Sequence, residues 1–406
     1  MKIFRFVSSV LSINCDRKAI WGIFWIIYLT SSHAISCNAY SPLVSYAVFL
    51  LAFLNTFSFR SKIKTNCLLY GLLFVTLMGV TTLVNTEDIR PFVLVSASLL
   101  LGAYYTAKVP LTVFRDALIY VMSVLCLISL FFYPLYIFIP QLQEFNVVGG
   151  SDQVPASSFL VFTSHDVLRN QSIFWEPGAF QTYICLATFF ELTKSHFNKN
   201  RIWLFIITCI TTLSTTGYCG MFLLLPWYLM KKRVSLKSYI VVSAVLLIVS
   251  FLGVTYFSDL LFSTSDSSVF GKLIVARNSD GFSEGDLTSA SVRYFSVVKP
   301  IGVFLDNPLF GVGYQGLKTI LYNYTFNMNT CTFINYFAVY GIVLGSLALY
   351  GYWNLVKIFE GRKVLMYLLL FFIFLITFSE DYVNFSFFYI LIIYGLSNSS
   401  YSKGSL

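Results

Sequence analysis

The strongest chemical signal in this sequence is two arginines and a glutamate. Arg169 and Glu176 share the segment Arg169-Asn170-Gln171-Ser172-Ile173-Phe174-Trp175-Glu176-Pro177-Gly178. A guanidinium supplies a fork for anions, and a nearby carboxylate can accept a proton. Arg293 precedes Tyr294 to Leu305, whose apolar residues recur at helical spacing. That pattern predicts an interfacial helix holding the guanidinium near lipid headgroups, with simple snorkelling as the plainer reading. Pro177 suits the first turn of a helix, which puts Glu176 at the positive end of the helix dipole. The corresponding structural role is a capping acid beside an interfacial Trp175. His165 lies close to Arg169 in the sequence and is a further acid/base candidate, although a surface histidine needs no such role.

Other patterns carry less. Gly311-Val312-Gly313-Tyr314-Gln315-Gly316 matches GxGxxG, but it follows Asn307-Pro308 and has no strand before it, so it reads as a glycine-permitted turn and not as a dinucleotide site. Glu284-Gly285-Asp286 sits in a Ser, Gly and Asp-rich stretch and reads as solvated loop. His33, His165 and His196 are scattered without ligand spacing, so no metal site is expected. The 8 cysteines include no CxxC pair and mostly lie in apolar segments, which suits packing.

The elements that must position these residues follow from composition. Of 406 residues, 57% are hydrophobic and 11% charged, and the mean hydropathy is +0.75. Ordinary soluble domains carry about 25% charged residues, so a soluble enzyme is excluded. The expected fold is an all-α polytopic integral membrane protein, one membrane domain over 1–406 with about 12 spans. Apolar runs lie near 19–37, 43–59, 67–84, 91–107, 117–139, 177–193, 202–213, 218–230, 238–256, 332–353, 364–379 and 383–396. Net charge is +9, but the basic residues cluster between apolar runs and form no single face, which indicates topology and no nucleic-acid partner. With both termini cytoplasmic, most of the 27 basic residues fall on the inner side. Inner loops are then short, and two long loops, 140–172 and 257–331, face outward with the candidate arginines.

Taken together, these features resemble the bacterial Wzy-type O-antigen polymerases and the related O-antigen ligases. The resemblance runs over residues 165–345. It rests on Arg169 to Gly178 entering a span, on the bend Thr212-Leu213-Ser214-Thr215-Thr216-Gly217, on Arg293 with Asn307-Pro308-Leu309-Phe310-Gly311-Val312-Gly313, and on Asn329-Thr330 through Asn335 to Tyr340-Gly341. Two positions depart from the family pattern. The bend lacks the Arg many relatives carry after its Ser, and Asn329 or Thr330 stands where ligases tend to have a His. The resemblance implies an enzyme of the bacterial inner membrane, with its active site facing the periplasm. It would transfer glycan from a polyprenyl-diphosphate-linked oligosaccharide to a sugar hydroxyl of another lipid-linked repeat. The alternatives are transfer to lipid A-core by a ligase, or movement of the repeat unit by a flippase. A flippase would more naturally line its spans with ionisable residues, which are scarce here. On this reading Arg169, Glu176, Arg293 and His165 are catalytic, Trp175, Arg277, Asn329 and Asn335 contact substrate, and no cofactor is called for. The bilayer and a chain-length regulator are the further partners.

Overall fold

The computed structural model describes residues 2–13, 15–32, 35, 42–139, 162–163, 169–232, 289–325 and 329–398. The described chain is mostly helical. In order it forms α1 (Lys2–Leu11), α2 (Arg17–Ser31), α3 (Pro42–Phe57), α4 (Thr65–Val84), α5 (Ile89–Lys108) and α6 (Leu111–Phe138). Two short strands follow, β1 (Phe162–Thr163) and β2 (Asn170–Ser172), paired antiparallel with an irregular register. Then come α7 (Pro177–Thr193), α8 (Lys199–Thr211), α9 (Thr215–Lys231), α10 (Ser289–Asp306), α11 (Tyr314–Thr325), α12 (Thr332–Phe359), α13 (Lys363–Ile376) and α14 (Ser386–Ser397).

Each apolar run read from the sequence coincides with a helix except 238–256, which lies outside the described residues. Four of these helices are long and apolar enough to cross a membrane: Thr65–Val84, Ile89–Lys108, Leu111–Leu135 and Thr332–Phe359. Of the two long loops, nearly all of 140–172 and most of 257–331 also lie outside the described residues. The interfacial helix expected over 294–305 is part of α10.

Burial sorts the helices into layers. α7 is buried from Pro177 to Glu191 and α14 from Ser386 to Leu396, so these two form the centre. By contrast α3, α4 and α5 carry exposed Leu54, Leu69, Leu72, Leu83, Val93 and Leu94. In a chain of this composition an apolar outer surface is the side that lipid covers. Lipid is as apolar as leucine, so close contact and hydrogen bonds must hold such helices together. Gly351 of α12 and Gly395 of α14 show how: a Cβ on Gly395 would overlap the Gly351 carbonyl, so the two backbones touch. Ser31 and Tyr183 add a 2.6 Å hydrogen bond between α2 and α7.

The turn after α10 docks into a break in α12. Gly341 has φ 77° and ψ −174°, a conformation open essentially only to glycine, and it interrupts the α12 ladder. Three of the groups at the break are paired by the 308–313 segment. Val312 N–H donates to Ala338 O at 3.0 Å, Gly313 N–H to Val339 O at 3.0 Å, and Ile342 N–H to Pro308 O at 2.8 Å. Glu87, in the α4–α5 corner, then accepts Gln315 N–H at 2.6 Å and Gly316 N–H at 3.2 Å, capping α11. The GxGxxG match is therefore a turn, as its sequence context indicated.

This docking is testable. A Cβ at 341 would meet both a disallowed φ and the Leu309 backbone, whereas one at Gly302 meets nothing within 4 Å. Gly341→Ala should therefore lower stability by roughly 3 kcal/mol or more, and Gly302→Ala by little or nothing. Thermal unfolding of the detergent-solubilised protein measures both, and equal transitions for the two variants would refute the docking.

Candidate active site

The approach to α7 is drawn into the bundle. Asn170 donates to Ser129 Oγ at 3.1 Å and to Thr211 Oγ1 at 2.9 Å, tying β2 to α6 and α8. Phe174 is buried, with its ring 5.3 Å from Phe180 and 4.8 Å from Tyr183. Left-handed backbone occurs at Ser172 (φ 51°) in this segment, at Leu213 (φ 50°) in the α8–α9 bend and at Cys331 (φ 69°) before α12. Non-glycine residues in this region are costly, and such strain gathers where geometry is over-determined.

Arg169 is fixed by that bend. Its Nε–H donates to Thr212 O at 3.0 Å and Nη2 to Leu213 O at 3.2 Å. These carbonyls close the C-terminal end of α8, the negative end of its dipole, where a cation is favoured. Burial lowers the Arg169 pKa, while the charges of Glu176 and Glu380 favour its cationic form and that of Arg293 opposes it. A guanidinium keeps its charge through such shifts. Arg293 comes from the first half of α10, and its charge acts on both Arg169 and Glu380. Among the described residues, neither arginine has a carboxylate within ion-pair distance.

Glu176 stands at the residue before α7, extended and exposed, and its side chain makes no capping hydrogen bond. The capping role open to it from sequence is thus unfilled. Its charge acts on Glu380, in the α13–α14 loop. Glu380 is 7% exposed, and a Cβ on Gly178 would overlap its Oε1, so glycine at 178 makes room for the carboxyl. Burial, followed by the Glu176 charge, holds Glu380 well above the usual carboxylate range. The Arg293 charge and the neighbouring Trp175 indole act the other way. Trp175 also packs edge-on against Phe385 at 5.0 Å and Tyr382 at 5.8 Å.

The loop carrying Glu380 is pinned from several sides. Thr332 Oγ1 donates to Glu380 O at 2.8 Å and accepts Tyr382 N–H at 2.9 Å. Gln181 Nε2 donates to Ser379 Oγ at 3.2 Å, and Tyr382 OH to Thr182 Oγ1 at 3.0 Å. Asn335 is fully buried beneath this loop and donates to Thr330 O at 3.1 Å. Its amide also favours the charged form of Asp381.

Arg169, Trp175, Glu176 and Arg293 are therefore brought together, with Asn335 and Asn329 at the adjoining start of α12. His165 and Arg277 lie outside the described residues. Glu380 and Asp381 were missed from sequence. A signal existed: the two acids interrupt an otherwise apolar stretch from 364 to 396, and ionisable residues at the edge of membrane segments mark functional sites. Among the described residues no group of three or more His, Cys, Asp or Glu is placed to hold a metal. Cations fixed without neutralisation can hold an anion, and a carboxyl pair can take up a proton.

Residues 202–342 match the family model Wzy_C, described as O-antigen ligase. The matched stretch runs from α8 through the Gly341 break and contains the α8–α9 bend, Arg293 and Asn335, while Arg169, Glu176 and Glu380 flank it. The resemblance to Wzy-type and O-antigen ligase-related proteins is borne out over that stretch, in a chain whose described residues include four helices long and apolar enough to cross a membrane. No curated protein and no solved structure matches the chain.

Asp381 gives this loop a pH signature. Burial raises its carboxyl from 3.8 to about 6, against a hydrogen bond from Val383 N–H at 3.2 Å and the influence of the Asn335 amide, both of which favour its charge. A raised carboxyl favours the protonated folded state, so its contribution to stability is greatest below the unfolded pKa of about 4. That contribution declines as pH rises through about 6. Asp381→Asn should unfold at a higher temperature than wild type at pH 7, and the advantage should vanish towards about pH 4. Parallel melting curves across this range would show that Asp381 is not so buried.

Proposed function

We propose that this chain is an O-antigen polymerase of the bacterial inner membrane, acting at the periplasmic face. It takes the glycan from a polyprenyl-diphosphate-linked oligosaccharide and joins it to a sugar hydroxyl on a second lipid-linked repeat. One observation carries the reading. Arg169 and Arg293, distant in sequence, act on the same Glu176–Glu380 pair, so two cations and a proton acceptor converge at one end of the bundle. Glycan transfer from such a donor expels a lipid diphosphate, and fixed guanidinium groups stabilise the charge that develops on it. Glu176, exposed at the opening, is the proton acceptor for the incoming hydroxyl. Trp175 and Asn335, with Asn329 beside them, are the sugar-contacting residues of the scheme.

In the twelve-span topology this end of the bundle faces outward, and the termini and the Glu191–Arg201 cluster face the cytoplasm. The short inner loops suit a lipid-linked donor and leave nucleotide chemistry to other enzymes. A chain-length regulator is the partner such a polymerase would meet. Ligase activity is the second reading, because the matching family model carries that description. Asn329 and Thr330, where ligases tend to have a His, favour the polymerase.

Deleting the chain separates these readings. Loss of a polymerase leaves core lipopolysaccharide bearing a single repeat, and loss of a ligase leaves bare core with polymer retained on the carrier. Loss of a flippase leaves bare core and no external polymer. The expected gel shows core plus one repeat. Arg169→Ala and Arg293→Ala should reproduce it with normal membrane levels, each slowing transfer on the order of 100-fold or more. Wild-type ladders from both variants would place the site elsewhere.

A further inference from the structure

Glu380 is a buried carboxyl that the scheme above leaves without a task. It lies behind Glu176: the outer residue is exposed, the inner is 7% exposed, and the inner carboxyl fits against Gly178, two residues on from Glu176, where the Glu176 charge acts on it. Its loop is fixed at the Glu380 carbonyl by Thr332, at Ser379 by Gln181 and at Tyr382 by Thr182. Its Oε1 lies where a Cβ at position 178 would be, and Gly178 leaves that space open. Two neighbouring carboxyls, one of them buried, resist carrying two charges, and among the described residues no guanidinium or ammonium lies within ion-pair distance of either.

We propose that Glu380 and Glu176 share a single proton in the resting protein, held on Glu380, so that Glu176 is presented to the acceptor sugar as the one carboxylate and Glu380 is its positioning residue. This rests on the transferase reading above. Glu380 donates its O–H to Glu176 and so orients the outer carboxylate, which no helix N–H caps. In the transfer, the acceptor O–H bond breaks and its proton passes to Glu176. The freed oxygen pair bonds the anomeric carbon, while the bond from that carbon to the diphosphate oxygen breaks. Its electron pair leaves with the diphosphate, where Arg169 and Arg293 meet the charge. Both carboxyls are then protonated, and release of one proton to water restores the pair. The charged and titratable groups facing the pair are Arg169 before β2, Arg293 on α10 and Tyr382 on its own loop, where Asp381 is the next residue in the chain. The two arginines favour one negative charge on the pair, and the neighbouring Asp381 and Tyr382 give no support to a second.

The test uses the full chain reconstituted in phosphatidylethanolamine and phosphatidylglycerol vesicles, read by infrared difference spectroscopy and by glycan transfer between polyprenyl-diphosphate-linked repeats. At neutral pH, wild type minus Glu380→Gln should show a protonated-carboxyl band. Glu176→Gln should shift titration of that band to lower pH, because the opposing charge is gone. Glu380→Gln keeps a donor to Glu176 but cannot ionise. It should hold transfer within about tenfold of wild type and lose the alkaline decline in rate, whereas Glu380→Leu should lose on the order of 100-fold. A merely structural Glu380 would leave the pH profile unmoved. Absence of the band, or a Gln variant as inactive as the Leu variant, overturns the proposal. If the band is present but the wild-type protein extends no glycan, the shared proton stands and the transferase reading fails.

Discussion

Arg169 is held by the C-terminal carbonyls of α8 and not by a carboxylate, so its position is set while its charge stays available. The arrangement around it depends on this. β2 must be drawn in between α6 and α8 for the guanidinium to reach the bend, and Asn170 makes that attachment. The bend must turn sharply enough to expose Thr212 O and Leu213 O, and Leu213 does so in a left-handed conformation. Glu176 then falls at the mouth of α7, facing the loop between α13 and α14.

Arg201 shows the opposite use of the same residue type. It donates to Val10 O at 2.7 Å and Ser12 O at 2.9 Å, and it pairs with Glu191 at 3.1 Å. Glu191 also meets Lys194, which reaches Asp116. Each charge named there meets an opposite one, with Arg115 also on Asp116, and the cluster joins α1, α6, α7 and α8. Breaking such a buried pair costs about 3–5 kcal/mol, so its role is structural. The two clusters thus differ in kind: the Arg201 cluster pairs its guanidinium with a buried acid, and the other leaves Arg169 and Arg293 without an ion-pair partner among the described residues.

Periodicity and charge placement made the helices legible, because a membrane segment must be apolar along its whole length. Arg169, Glu176 and Arg293 were legible for a related reason: an ionisable residue beside such a segment stands out. Glu380 was not singled out, since a short loop between two apolar runs looks like a plain connector until α7 is packed against it. The absence of a side chain at Gly178, which makes room for Glu380, has no one-dimensional signature. The same holds for the Gly341 break, whose purpose appears only when the 308–313 turn pairs with the groups it frees. Residue type marked the candidates, and long-range packing decided which of them meet.

The central claim is that the unspent charge of Arg169 and Arg293 serves transfer between lipid-diphosphate-linked glycans by this chain itself. Its most direct test is the purified protein in vesicles containing only polyprenyl-diphosphate-linked repeats, with the lipid-linked products resolved by length. The account predicts a ladder of longer lipid-linked glycans and free polyprenyl diphosphate in step with each added repeat. Repeats that remain single, and are extended only when lipid A-core is supplied as acceptor, would contradict it.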